Sequence, residues 1–345
     1  AHESFEDRQV ADVLNQHFIS IKVDKEERPD IDNIYMNVCQ LFTGSGGWPT
    51  SIFMTPDQKP FFAGTYFPKQ AMHGMGGFLD LLFTIHEKWM NSKEEMIKAG
   101  DEVIMMLNEQ NAYQVNISRD LASDAVAHFK STFDKTYGGF GSAPKFPAPH
   151  NLMFLMDYAK NKGDKGALEM AEKTLKQMYK GGIFDHIGFG FSRYSTDRFW
   201  LAPHFEKMLY DNALLTMAYL KAYDSTKNEL YKTVAVRTMD YVLRELLHSE
   251  GGFYSAQDAD SEGVEGKYYL FDYDEITNLL GDEAGTRFNQ HYGITKSGNF
   301  EGKNIPNLLK TEDMGNPFPE YIQRLYEYRR ARMSLHLDDK ILTSW

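Results

Sequence analysis

Three stretches of this 345-residue chain bring acids, bases and aromatics close together. The first is Ser142-Ala143-Pro144-Lys145-Phe146-Pro147. The second runs from Asp185-His186 through Arg193, Tyr194, Asp197, Trp200, His204 and Glu206 to Asp211. The third is Asp258-Ala259-Asp260-Ser261-Glu262-Gly263. Carboxylates beside histidines move protons near neutral pH once burial has tuned them. Asp185, His186, His204, Glu206, Asp258 and Asp260 are therefore the candidate catalytic acids and bases. Lys145, Arg193 and Asp211 are candidate contacts for anionic or hydroxylated substrate groups. Tyr194 and Trp200 offer rings on which a flat ligand such as a sugar could stack. Each residue also has a plainer role open to it. Lys207 and Asp211 stand four apart and would pair on a helix, and aromatics in helical proteins more often fill cores. The weight falls on the group, not on any single member.

What gathers the group is a pattern of loops. Gly138-Gly139-Phe140, Gly181-Gly182-Ile183 and Gly251-Gly252-Phe253 each follow an expected helix, and the reactive stretches trail them. Between them lie short polar links, Asn161-Lys162-Gly163-Asp164 and Asp224-Ser225-Thr226-Lys227-Asn228. If successive helices run up and down, every loaded loop falls at one end of the stack, with rigid helices holding it. The apolar spacing predicts helices from Ser118 to Phe133, then over 150–161, 165–180, 203–223, 228–247, 273–280, 283–291 and 319–335. Pro203 suits a first helical position. A strand pair is expected near 252–256 and 267–271.

Ahead of this lies a region of mixed pattern. Ser4 reads as the cap of a helix to about Gln16, followed by an alternating strand over 18–24. Asp30 caps a second helix to about Leu41. Strands over 51–54 and 59–63 form a hairpin around Thr55-Pro56-Asp57-Gln58, and helices follow over 79–89 and 94–107. Polar Asn111–Asn116 reads as a boundary between domains at 1–112 and 118–345.

Composition excludes several classes. A formal charge of −12 opposes a nucleic-acid partner, which needs clustered Lys and Arg. No apolar run is long enough to span a bilayer, and a cytoplasmic setting is expected. Cys39 is the single cysteine, and a buried inert thiol is the expectation. Gly188-Phe189-Gly190 lacks the third glycine and the preceding strand of a dinucleotide site. A calcium loop counted from Asp258 would need glutamate at Tyr269. No cofactor and no metal is implied.

Ala1-His2-Glu3-Ser4-Phe5-Glu6-Asp7, Val23-Asp24-Lys25-Glu26-Glu27-Arg28-Pro29-Asp30, Gly46-Gly47-Trp48-Pro49 and Gly64-Thr65-Tyr66-Phe67-Pro68 closely resemble the YyaL-type, or spermatogenesis-associated protein 20, family. So do His204-Phe205-Glu206-Lys207-Met208-Leu209-Tyr210-Asp211-Asn212 and Asp338-Asp339-Lys340-Ile341-Leu342-Thr343-Ser344-Trp345. The resemblance implies a multidomain α+β chain: a partial thioredoxin-like α/β domain, then an all-α (α/α)6-toroid-type helical domain of which about half is present. It also implies a cis Trp48–Pro49 bond. The chain reads as cut at both ends, lacking the family's first strand and Cys-x-x-Cys motif. Either missing sequence or a homo-oligomeric partner would then cover the open flank. By analogy of fold, the expected function is carbohydrate processing on a small-molecule substrate, of epimerase or glycosidase type. The alternative is a thiol-redox or redox-partner protein, with the toroid as an interaction surface.

Overall fold

The computed structural model describes residues 2–72, 74, 76–110 and 120–345. They form two compact units, Ala1–Ile117 and Ser118–Trp345. The expected boundary at 111–116 and the expected cap Ser118 lie outside the described residues.

In the first unit, Asp7 separates a short α1 (His2–Phe5) from α2 (Arg8–His17). Its carboxylate accepts the N–H groups of Gln9 and Val10 at 2.9 and 3.2 Å. A side chain that satisfies first-turn donors starts a helix, so the cap is Asp7 and not Ser4. The Ser4 hydroxyl instead donates to Phe67 O at 2.7 Å. Pro29 opens α3 (Pro29–Thr43), one residue before the expected Asp30. Strands β1 (Ser51–Met54) and β2 (Pro60–Gly64) pair antiparallel, Ile52 opposite Ala63, with a bulge at Phe53/Met54. Helices α4 (Phe78–Asn91) and α5 (Lys93–Gln110) follow. Val38, Cys39, Ala63 and Val103 form one core, and Val10, Phe78 and Leu82 a second. Cys39 is buried, as expected, and the Trp48–Pro49 bond is cis.

The strand expected over 18–24 is absent. That segment has no strand assignment, and Ile19 and Ile21 are 94% and 79% exposed. Apolar alternation marks a strand only where a neighbour pairs with its backbone, and none of the described residues does so.

The second unit is built from helix pairs. Its helices are α6 (Leu121–Thr132), α7 (Pro149–Lys162), α8 (Lys165–Lys180), α9 (Leu209–Thr226), α10 (Glu229–Tyr241), α11 (Tyr273–Leu280), α12 (Asp282–His291) and α13 (Pro319–Arg332). Helix α7 packs on α8 and α9, α9 on α10, and α11 on α12. The links inside the pairs are short. Asp164 caps α8 through the Ala167 N–H at 3.1 Å, and Asn228 caps α10 through Leu230 at 3.1 Å. One large core, including Leu152, Leu175, Tyr179, Leu215, Tyr219 and Val234, joins the helices. The chain is thus a multidomain α+β protein.

Between the helices the loops carry short antiparallel ladders, and here the expectations need correcting. Helix α9 begins at Leu209, not at 203. Pro203–His204 is a strand (β4) paired with β3 (Tyr194–Ser195), so that Tyr194 lies opposite His204. Lys207–Met208 (β5) pairs with β6 (Ala256–Gln257), which also pairs with β9 (Leu337–Asp338). Pro203 would fit a helix start, but the ladders use these backbone groups first. The pair expected at 252–256 and 267–271 is replaced by this sheet and by the hairpin β7 (Asp260–Ser261) and β8 (Val264–Glu265). Helix α10 ends in a π turn, Val242–Leu246.

Candidate functional site

Two glycine loops are built alike. In the first, Asp134 N–H donates to Gly139 O, and Asp134 Oδ1 accepts the N–H groups of Thr136 and Tyr137. In the second, Asp185 N–H donates to Gly190 O, and Asp185 Oδ1 accepts those of Ile187 and Gly188. Each loop is closed by a buried lysine from further along the chain. Lys145 Nζ lies 2.8 Å from Asp134 and 2.7 Å from Gly138 O; Lys207 Nζ lies 2.8 Å from Asp185 and 2.7 Å from Phe189 O. An arginine completes each set, Arg198 on Asp134 at 2.9 Å and Arg329 on Asp185 at 2.8 Å. Burial alone would raise both carboxyls, but these cations hold them far below the usual range. Lys207 is lowered by burial to about 8.

The same device occurring twice is architecture. Asp185 and Lys145 therefore do not stand free for a substrate, contrary to the reading from sequence. His186 is also withdrawn. It is 3% exposed among Tyr179, Phe184 and Tyr292, and burial lowers it to about 3, the state of a neutral core imidazole. Trp200 is fully buried and is no stacking surface. Its indole N–H donates to Tyr137 O at 2.9 Å, and its backbone O would lie 2.1 Å from a Cβ at Gly181. Gly181 is glycine because Trp200 leaves no room for a side chain, and this contact locks the first two loops together.

Of the rest of the expected group, all but Asp211 stay at least partly exposed. His204 Nδ1 lies 2.6 Å from Glu265 Oε1, and its Nε2 lies 3.8 Å from Glu206 Oε2. Glu206 in turn holds Arg193 at 2.9 Å. Tyr194 stacks on the His204 ring with centroids 5.1 Å apart, and Phe146 covers Tyr194 at 4.8 Å. Phe146 is 56% exposed, so this aromatic face is open. The Glu265 hydrogen bond raises His204 above its ordinary value and lowers Glu265. Arg193 also engages Tyr210, whose hydroxyl interacts with Asp211.

Asp211 opens α9 and is only 7% exposed, yet its Oδ2 has no hydrogen-bond partner. Burial raises this carboxyl to about 7. The simple Lys207–Asp211 pair does not form, because Lys207 is already held by Asp185. Asp258 and Asp260 are exposed on the neighbouring hairpin. Gln257, just before Asp258, lies opposite Lys207, and Asp260 lies opposite Glu265. His204, Glu206, Asp211, Arg193, Tyr194, Asp258 and Asp260 are thus linked through adjoining strands and contacts. Asp185 sits beneath them, tied in by Lys207.

Residues 1–108 match a family model, Thioredox_DsbH, described as a protein of unknown function, DUF255. Spermatogenesis-associated protein 20 of Homo sapiens is 36% identical over 391 residues, covering 99% of this chain and 50% of that protein. Uncharacterized protein B0495.5 of Caenorhabditis elegans is 37% identical over 385 residues, covering 99% and 53%. Over nearly its whole length the chain is similar to spermatogenesis-associated protein 20. It spans about half the length of the curated relatives it matches.

Among solved structures, a sugar epimerase from a ruminal bacterium superposes with TM-score 0.38 at 17% identity, covering 47% of this chain and 46% of that one. Cellobiose 2-epimerase from Bacillus thermoamylovorans gives 0.36 at 14%, covering 40% and 41%. At these scores the likeness assigns no role to any residue.

Two members of the cluster are invisible to reasoning from sequence. Glu265 follows a turn, and only the hairpin register brings it to His204. Trp345 meets Tyr210 edge-on at 4.9 Å across more than a hundred residues. The larger cavity, about 730 Å³, opens elsewhere, on the first glycine loop beside Asp134, Ser142, Arg198 and Phe199. Of its charged lining, Asp134 and Arg198 belong to the Lys145 device, whereas Lys135 and Asp197 do not.

Proposed function

We propose that this chain carries out acid/base chemistry on a small polyhydroxylated molecule of the sugar type, at the His204 cluster. The observation that carries this is two differently tuned proton carriers that share Glu206 and Arg193 as neighbours. His204 is oriented and made more basic by Glu265, while Asp211 is buried, unpaired at Oδ2 and poised at about 7. Groups whose environments push them in these ways suit a base and an acid working near neutral pH. The exposed Phe146 ring, laid on Tyr194, suits the apolar side of a sugar ring.

In this reading Glu265 fixes the imidazole, so that Nε2 is the nitrogen offered to a ligand. Arg193 and Glu206 hold each other and present their remaining hydrogen-bonding capacity to hydroxyls. A thiol-redox role would draw on the thioredoxin-like domain matched at 1–108 and its cis Trp48–Pro49 bond, and Cys39, the cysteine in this sequence, is buried.

The test is a thermal-shift panel of mono- and oligosaccharides on the 345-residue chain, with His204→Ala as control. A sugar that stabilises the parent protein but not the variant supports the proposal. A panel in which no sugar acts, while thiol partners are captured as mixed disulfides, overturns it.

A further inference from the structure

The charges around the His204 cluster are unevenly used. Every nearby cation is committed to a carboxylate: Arg193 to Glu206, Lys207 to Asp185, Lys267 to Glu262 at 2.5 Å, and Arg332 to Glu275 at 2.8 Å. Asp258 and Asp260 have no cation among the described residues. Asp258 Oδ1 accepts only the Asp260 N–H, at 3.2 Å. Both are exposed; Asp258 follows β6, the strand paired with that of Lys207, and Asp260 lies opposite Glu265. Behind the hairpin lies a cavity of about 620 Å³, lined by Asp260, Glu262 and Asp339 with Tyr254, Ser261 and His336.

Through Tyr210 and Arg193, Asp211 adds a carboxyl that is 7% exposed and has an oxygen without a partner. That oxygen is a waiting hydrogen-bond site, and its neighbours Tyr210, Arg193 and Glu206 belong to the cluster itself. A ligand would therefore meet carboxylates that lack counterions and cations that have them. The chain as a whole, at −12, projects a field of the same sign.

We infer that the substrate of this site carries no acidic group: it is a neutral polyol or one bearing an amine, and sugar acids and sugar phosphates are excluded by Asp258 and Asp260. The inference rests on the acid/base reading given above and narrows it. Arg193 does not reverse it, because the Glu206 pair at 2.9 Å already neutralises that guanidinium. An incoming carboxylate would have to break the pair or lie beside two unpaired aspartates, and like charges in contact disfavour a partner strongly.

Calorimetric binding on the full chain decides the matter, using glucose, mannose and galactose skeletons, each as the neutral sugar, the 2-amino sugar and the uronate. The uronates are expected to bind at least about tenfold more weakly than their neutral counterparts at low salt, with the gap shrinking as salt rises. The Asp258→Asn/Asp260→Asn double variant is expected to close most of that gap. Uronates that bind as well as neutral sugars overturn the inference and leave the acid/base reading standing. A gap that persists in the double variant overturns the assignment to these two carboxylates. If no member of any series binds, both readings fall together.

Discussion

Glu206 and Lys207 are neighbours in the chain and meet opposite fates. Lys207 turns inward to the Asp185 set, where the lysine and Arg329 side chains are each 2% exposed and both pair with the one carboxylate. Glu206 turns outward to a set whose side chains are about a quarter exposed and whose bonds leave capacity to spare. The inner set resembles its counterpart around Asp134 and Lys145 in its turn and its lysine, while Arg198 there is half exposed and Arg329 here is buried. The outer set has no counterpart. Charged groups at a helical-loop end therefore divide into those that hold the loops shut and those left for chemistry. Burial with full pairing marks the first kind; an unpaired buried carboxyl such as Asp211 marks the second.

The largest expected effect breaks the inner set. Asp185→Ala leaves Lys207 and Arg329 buried without an anion, at a cost of about 3–5 kcal/mol in urea unfolding. A variant that kept its stability and lost only activity would move Asp185 back among the acids and bases.

Asp211→Asn should act in the opposite direction. In the unfolded chain this carboxyl ionises near its ordinary 3.8, whereas in the fold it keeps its proton up to about 7. Between those values the fold loses stability as pH rises, at roughly 1.4 kcal/mol per pH unit. Asparagine removes that penalty. Above pH 7 the variant should therefore be about 2–4 kcal/mol more stable than the parent, while losing sugar turnover. Thermal unfolding followed against pH measures it. Equal stability at every pH would mean that Asp211 is an ordinary first-turn acid.

These contrasts also show what was readable in the sequence. The helix pairs and their short polar links followed from apolar spacing and from the stretches 161–164 and 224–228. The helix start at Leu209 did not, because Pro203 satisfies the local rules and only the partner strands at 194–195 and 256–257 override them. Asp185 and His204 looked alike in sequence, each a polar residue after a glycine loop. What separates them is whether a lysine arrives from elsewhere, and one-dimensional spacing does not show that. Ile19, Ile21 and Val23 are the converse case: a clear strand pattern with no strand beside it.

A smaller effect is expected where the loops are locked. Gly181→Ala puts a Cβ 2.1 Å from the Trp200 carbonyl oxygen, which is backbone and can give way only by moving the loop. The cost should be about 1–3 kcal/mol. It should also loosen the outer set, visible as faster hydrogen exchange at the backbone amides of Ile183 and Ser192. A neutral result would mean that the loops are held by the ion sets alone.

The finest test separates the two sets by titration. Glu265→Gln keeps the shape of the side chain and removes the charge that lifts His204. Because the Glu265 side chain is 48% exposed, the loss of stability should stay below about 1 kcal/mol. It should also be confined to acid solution. A histidine raised above 6.5 by its partner contributes stability that is fully present below 6.5 and disappears as pH rises through the folded value, so parent and variant should converge at alkaline pH. The His204 midpoint, followed by NMR through its Cε1 proton, should fall toward 6.5 in the variant. Turnover should fall with it, because the imidazole then loses both its orientation and part of its basicity. An unchanged midpoint would reduce the Glu265 contact to an ordinary surface pair, and the outer set would have lost the feature that distinguishes it from the inner one.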